Sequence, residues 1–135
     1  MIYIRNIFKQ DLRNGKQIAF TKEPSNTFFN FNYSNSDPDR NITFIFQDTN
    51  PKSKFNNLQG TKIKTRLYTA PSESRIDGEL KKFLRESLNA QIDDIVIFRK
   101  KNDKEYLFEY YPASHQYFDG FKSILNGNHE LITSE

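Results

Sequence analysis

The sequence predicts a mainly β domain with one or two α-helices, arranged as an antiparallel sheet that closes partly into an open barrel. Short apolar runs with period-two alternation recur along the chain and are separated by turn residues. Only one segment carries a clear helical stripe, so the helical crossovers that a parallel sheet needs are missing. The length of 135 residues is typical of one domain. These observations together predict a single domain built as a small antiparallel barrel.

The N-terminal part of the chain is predicted to contain two strands joined by a basic loop. Met1–Phe8 alternates apolar and polar side chains and predicts the first strand. Asn14 and Gly15 form a strong hairpin signal, because both central residues of that turn need positive φ angles. Ile18–Thr21 is the expected returning strand. The loop Lys9–Gln17 would therefore project between two paired strands.

The middle of the chain predicts two further strands. Residues 23–41 are polar with interspersed aromatics, which indicates an irregular aromatic-anchored segment or an edge strand. Ile42–Phe46 is a clear strand, and Lys62–Tyr68 alternates cations with Ile63, Thr65 and Leu67. Successive side chains of a strand point to opposite faces. One face of this strand is therefore expected to carry three cations, Lys62, Lys64 and Arg66.

The C-terminal part predicts one firm helix and a hairpin. The helix runs from Gly78 to about Asn89, with Asp77 as its N-cap. Two strands follow, Asp94–Phe98 and Glu105–Tyr111, and the tail beyond them is expected to hold a short second helix. The whole chain is thus predicted to have six or seven short strands. The buried stripe of the firm helix is expected to consist of Leu80, Phe83, Leu84 and Leu88.

Positive charge is concentrated in two segments, although the formal net charge is only +3. Residues 1–22 contain five cations and one carboxylate, residues 62–75 contain four cations and one carboxylate, and the rest of the chain is net negative. Such a distribution is what a directional anion-binding face needs. Ordinary solvated strands and loops would also account for it.

Several classes of function are excluded or disfavoured by residues that the sequence lacks. There is no cysteine, so the chain can form no disulfide and no cysteine-based zinc site. Its two histidines lack ligand-like spacing, and no phosphate-binding glycine motif or nucleophile elbow is present. No window approaches a membrane span and no signal peptide is apparent, which predicts a cytoplasmic protein. We expect no catalytic residue, no metal and no cofactor.

Two alternatives to simple duplex binding stay open at this point. Mg²⁺-dependent nucleases hold the metal with carboxylates, and acidic clusters occur at Asp93–Asp94 and at Asp103–Glu105. No acid-x-Lys motif lies within a predicted strand, so charges that flank strands explain these clusters better. A module that binds single strands, RNA or protein is the other alternative, because the predicted strands are rich in aromatic residues.

The two basic segments are the best candidates for a binding site. Arginine and lysine read guanine and asparagine or glutamine read adenine in the major groove, whereas cations and hydroxyls hold phosphates. We assign base reading to Arg13, Asn14, Lys16, Gln17, Ser72, Ser74 and Arg75. We assign phosphate contacts to Lys9, Lys22, Lys64, Arg66 and Tyr68.

Part of the sequence resembles a known family. The resemblance rests on a strand with a tyrosine, Arg66–Tyr68, an Arg-Ile strand entry at Arg75, the helix, and a strand that starts at Asp94 and is followed by an aromatic return strand. These features are similar to the B3-like DNA-binding domains of bacterial restriction enzymes, of the EcoRII effector-domain type. One departure is Asp93, where the family usually has a glycine; another is the short basic loop at Lys9–Gln17.

The resemblance implies an open seven-stranded pseudobarrel with two helices that grips the major groove with two arms. The N-arm would be Lys9–Gln17 and the C-arm Thr69–Arg75. The implied function is sequence-specific duplex-DNA recognition, as the specificity module of a restriction-modification system, including those of the McrBC/LlaJI GTP-dependent type. The chain would then be a non-enzymatic domain of a larger bacterial protein, with an AAA+ NTPase or a nuclease among its partner domains or subunits.

Overall fold

The computed structural model describes residues 1–13, 17–32, 37–48, 50, 52–71, 73–125, 127 and 129–132. Within these ranges eight strands form one curled sheet in the order β2-β5-β4-β3-β7-β6-β1-β8. The predicted mainly β open barrel is confirmed, with eight described strands where six or seven were predicted. The strands are β1 Ile2–Asn6, β2 Ile18–Phe20, β3 Arg40–Phe46, β4 Lys62–Ala70, β5 Glu73–Ile76, β6 Ile95–Lys100, β7 Glu105–Tyr111 and β8 His129–Ile132.

The helices are short and lie between or beside the strands. They are α1 Lys9–Leu12, α2 Glu79–Lys82, which continues with π-helical spacing through Phe83–Ser87, and α3 Phe118–Ile124. Further turns are the π-helical Pro24–Phe28 and the 3-10 turn Asn56–Leu58. No helix in the described part of the chain is long and apolar enough to cross a membrane.

The predicted helix is confirmed in its position and its buried face, but not in its cap. Leu80, Phe83, Leu84 and Leu88 are all buried, as the stripe predicted. The N-cap is Gly78, which has no side chain to accept a hydrogen bond from the first turn. The prediction of Asp77 as the cap is wrong, because its carboxylate is taken by the guanidinium of Arg66 instead.

The predicted hairpin between the first two strands is wrong. β1 pairs with β6 on one side and with β8 on the other, so neither edge of β1 is open to β2. β2 pairs with β5 instead. The one turn of α1 separates β1 from β2, and Asn14 and Gly15 lie outside the described residues. The paired strands are antiparallel as predicted, with the exception of β3 and β7, which run parallel.

The sheet is covered on its inner face by a large aromatic core. Phe20, Phe28, Phe29, Phe44 and Phe108 are completely buried there. In the predicted aromatic segment 23–41, the described residues 23–32 are anchored in the core by Phe28, Phe29 and Phe31 and form an irregular stretch with a π-helical turn, whereas Arg40 and Asn41 begin β3. A smaller cluster on the opposite side packs α3 against β1 and β6.

Asp93, two residues before β6, has a backbone conformation that favours glycine. Asp93 has a φ of 72°, the left-handed region that glycine adopts without strain. Its N–H donates to the Ile7 carbonyl at 2.9 Å, which fixes this conformation against the end of β1. Aspartate tolerates the region better than most residues. Asp93 therefore has a φ that a glycine, the residue expected here from the resemblance, would adopt without strain.

Replacing Asp93 with glycine is expected to raise the free energy of unfolding by about 0.5–1 kcal/mol. Glycine removes the strain of the positive φ from the folded state, and this gain exceeds the stability lost because glycine makes the unfolded chain more flexible. Urea denaturation followed by circular dichroism measures the change. Asp93→Ala is the control, since it removes the carboxylate but keeps the Cβ atom. An equal gain in both variants would show that the charge matters and the backbone does not.

Candidate nucleic-acid interface

The two predicted arms meet because of how three strands pair. β5 lies between β2 and β4, with Arg75 opposite Ala19 on one side and opposite Tyr68 on the other. Gln17 directly precedes β2 at the end of the N-arm, and its Oε1 accepts a hydrogen bond from Arg75 Nη1 at 2.9 Å. A residue of the N-arm therefore contacts a residue of the C-arm.

The solvent face of these strands carries the cations. Lys62, Lys64 and Arg66 are exposed on β4 while the residues between them are buried, which confirms the predicted alternation. We call the solvent-facing set Gln17, Lys64, Arg66, Tyr68 and Arg75 the arm face. No carboxylate within the described ranges lies at ion-pair distance from Lys64, so its ammonium group is available to an anion.

Arg66 is held on the arm face by acidic and aromatic neighbours. Its Nε and Nη2 each donate to the Asp77 carboxylate at 3.1 Å, and its Nη1 lies 3.3 Å from Asp39. The guanidinium carbon also sits 4.3 Å from the centre of the Tyr68 ring. Because the Arg66 side chain is 46% exposed, these are surface ion pairs that solvent screens and that contribute little net energy. A phosphate can therefore compete for this guanidinium.

Tyr68 next to it is suited to donate a hydrogen bond. Partial burial raises the pKa of the Tyr68 hydroxyl above its ordinary value, and the carboxylate of Asp77 acts in the same direction. The hydroxyl therefore stays protonated at neutral pH. A protonated phenol at this place can donate to a phosphate oxygen.

The root of the N-arm is fixed by a buried ion pair. Arg5 and Asp11 are only 7% and 3% exposed, and two hydrogen bonds of 2.7 and 3.2 Å join them. Arg5 also donates to the Ala19 carbonyl at 3.1 Å, and Asp11 accepts the N–H of Phe8 at 3.0 Å. This pair ties β1, α1 and β2 together below the arm. Arg5 is thus neutralised inside the protein and contributes no charge to an anion-binding surface.

The remaining assigned residues fall into three groups. Lys9, Arg13, Gln17 and Lys22 are exposed around the N-arm, where a ligand can reach them. Ser74 is completely buried, and its hydroxyl hydrogen-bonds that of Ser25, so its assignment to base reading is wrong. The assigned residues that lie outside the described ranges are Asn14, Lys16 and Ser72.

One cation near the N-arm was missed by the sequence analysis. Lys81 is only 4% exposed. Burial lowers the pKa of its ammonium group; the Asp11 carboxylate opposes this shift, and the charges of Arg85 and Arg13 add to it. The helix therefore brings a lysine close to the root of the arm. A signal was present in the sequence, because Lys81 precedes Leu84 and Leu88 by three and seven residues and so lies on the edge of their stripe.

The carboxylates that motivated the nuclease alternative have structural partners. Asp94 is 4% exposed and accepts hydrogen bonds from the Tyr110 hydroxyl and from the N–H groups of Gln91 and Ala113. Burial and the hydrogen bond to Asp94 raise the pKa of the Tyr110 hydroxyl far above its ordinary value. Asp103 is paired with Lys100 at 2.7 Å. Within the part of the chain that the structure describes, no group of three acidic or histidine side chains is placed to hold a metal ion.

Comparison with solved structures identifies the fold. No protein-family model and no curated protein sequence matches the chain. The N-terminal domain of Helicobacter pylori LlaJI.R1 is similar over 99% of this chain and 98% of its own, with a TM-score of 0.71 and 21% identity. The chain in the Arabidopsis FUS3-DNA complex matches over 82% of this chain and 96% of its own, with a TM-score of 0.52 and 12% identity.

A third similar structure is that of a hypothetical Arabidopsis thaliana protein, with a TM-score of 0.52 and 13% identity. It covers 84% of this chain and 92% of its own. The sequence identities are low, so what the three likenesses establish is the arrangement of strands and helices and not a shared activity. The chain has a B3-like pseudobarrel fold.

Proposed function

We propose that the chain recognises duplex DNA in a sequence-specific manner, with its two arms in the major groove, as the specificity module of a restriction-modification system. The observation that carries the proposal is the contact between Gln17 and Arg75, because it unites both arms in one exposed surface that also presents Lys64 and Arg66. A surface of this kind combines fixed hydrogen-bonding groups with cations that attract the phosphate backbone.

The proposed roles follow from exposure and neighbours. Arg13, Gln17 and Arg75 are the described candidates for base contacts, and the sequence adds Asn14, Lys16 and Ser72. Lys64 pairs with no carboxylate among the described residues and suits a phosphate, whereas Arg66 must first be released from Asp39 and Asp77. The proposed phosphate contacts are Lys9, Lys22, Lys64, Arg66 and Tyr68.

The similar structures support this setting. FUS3 was solved in complex with DNA, and LlaJI.R1 contributes an N-terminal domain of the same fold. We infer a domain of a larger bacterial protein that acts in the cytoplasm without catalysing a reaction itself. Its partners would be duplex DNA and the remaining domains or subunits of a restriction complex, an AAA+ NTPase or a nuclease.

Fluorescence anisotropy with a pool of random duplexes, at two salt concentrations, tests the proposal. Four lysines and arginines are assigned to phosphates, so the log–log dependence of affinity on salt should have a slope of about −3.6. The same strands offered unpaired are the control and should bind more weakly. Absence of duplex binding at low salt, or tighter binding of single strands, would overturn the proposal.

Replacing Asp77 with asparagine is expected to raise the affinity for random duplexes by up to about fivefold, because a surface ion pair no longer competes for Arg66. Asp119→Asn removes the same charge on α3 and should leave the affinity unchanged. Anisotropy at low salt measures both variants. If Asp77→Asn gains affinity equally in an Arg66→Ala background, Arg66 is not the phosphate ligand.

A further inference from the structure

Arg75 is held from two sides by neutral and acidic acceptors. Its Nε donates to Glu73 Oε2 at 2.6 Å, and its Nη1 donates to Gln17 Oε1 at 2.9 Å. The side chains of Arg75 and Glu73 are only 33% and 26% exposed. A guanidinium has five N–H donors in a planar fork. Among the described residues none accepts a hydrogen bond from Nη2, so the outer edge of the fork is left for a ligand.

The charge beside Arg75 argues against a phosphate as that ligand. The Glu73 carboxylate is in direct contact with the guanidinium, and both side chains are less exposed than those of Arg66 and Asp77. The repulsion of a bound phosphate by Glu73 is therefore screened less by solvent than the repulsion at Arg66. The major-groove edge of guanine is uncharged and offers two acceptors, O6 and N7, at the spacing of an arginine fork. The neighbours of Arg75 therefore admit a base edge and disfavour the DNA backbone.

The two contacts also fix the direction of the fork before a ligand arrives. Arg75 lies on β5, opposite Tyr68 of β4 on one side and opposite Ala19 of β2 on the other. Its backbone is therefore paired with a neighbouring strand at both edges. Glu73 and Gln17 then restrain the side chain from either arm. A side chain that is already oriented loses less conformational entropy on binding.

We propose, on the basis of the proposed function, that Glu73 is a positioning residue that directs Arg75 to a guanine in the target. Gln17 supports the same fork through its Oε1 and keeps its own proposed base contact through its amide NH₂ group. Glu73 thereby sets the discrimination between sequences and weakens binding to unselected DNA, since its charge repels the backbone. The sequence analysis assigned no binding role to Glu73. There it was only the single carboxylate in the charge balance of residues 62–75.

The test begins with a duplex selected from the random pool by the wild-type chain. Each guanine of that duplex is replaced in turn by 7-deazaguanine, which has a C–H group in place of the N7 acceptor. One position is expected to lose about five- to hundredfold in affinity for the wild type. The loss should disappear in Arg75→Ala, because the partner of N7 is gone.

The variants of Glu73 separate positioning from charge. Glu73→Ala should abolish the 7-deazaguanine penalty and bind random duplexes about two- to fivefold more tightly than the wild type does. Glu73→Gln keeps an acceptor for Nε and should restore part of the penalty, while its gain for random duplexes persists. Glu130→Ala, the matched change on β8 at the opposite edge of the sheet, should behave as the wild type.

Two results would overturn the inference alone. One is a wild type that binds duplexes with the expected salt dependence but tolerates 7-deazaguanine everywhere. The other is a Glu73→Ala variant that keeps the full penalty. A wild type that binds no duplex at low salt would instead overturn the proposed function itself, and the inference with it.

Discussion

Arg5→Met is expected to lower the free energy of unfolding by about 3–5 kcal/mol, because it leaves the Asp11 carboxylate buried without its partner. Methionine fills a similar volume, so the loss reflects charge and hydrogen bonding more than packing. The Ala19 carbonyl also loses its donor. Urea denaturation monitored by far-ultraviolet circular dichroism gives the change.

Two further variants make this result interpretable. Arg66→Met removes an arginine from an exposed, solvent-screened ion pair and should lower the free energy of unfolding far less than Arg5→Met does. Arg5→Met combined with Asp11→Leu removes both buried charges and should recover part of the lost stability. A single Arg5→Met variant that is no less stable than Arg66→Met would show that the buried pair does not hold the N-arm.

Combined alanine substitution of Arg13 and Arg75 is expected to weaken binding to the selected duplex by about 2–6 kcal/mol, which is at least about thirtyfold. Each arginine is proposed to make one base contact of about 1–3 kcal/mol. The two lie on different arms, so their losses should add. Anisotropy with the selected duplex, in the presence of random competitor, measures the loss.

The matched control removes two cations away from the arm face. Lys52 lies in the loop after β3 and Lys122 on α3, and both are exposed. Their combined alanine variant has the same net charge as the arginine variant, so it should show only the small general loss of electrostatic attraction. Equal losses in both double variants would mean that charge alone, and not the two arms, carries the binding.

Strands with strict alternation were predictable from the sequence, because the alternation of buried and exposed side chains is visible in a few consecutive residues. The exposed cations of β4 and the buried aromatics of β7 follow directly from it. Pairing between strands is not local. The Asn14–Gly15 signal suggested a hairpin, yet β1 is already paired on both edges with β6 and β8, and nothing near residue 14 reports this.

The cations of the candidate site were predictable and their partners were not. Arg66 meets Asp39 and Asp77, which lie 27 and 11 residues away along the chain. Ser74 looked like an accessible loop hydroxyl, but the register of β5 turns it towards Ser25 in the interior. Such contacts depend on the tertiary arrangement, which residue types and spacing do not encode in a readable way.

The pairing of β1 with β8 has a consequence for how the domain is made. Ile2 lies opposite Ile132, so almost the whole chain separates two residues that are neighbours in the sheet. Sheets dominated by such distant pairings fold slowly, in about milliseconds to seconds, because the loop must close before the contact is gained. During synthesis β1 emerges from the ribosome before the other strands of this sheet, and its edge that pairs with β8 stays unpaired until β8 has been made. Nascent chains are therefore expected to be most prone to aggregation in that interval.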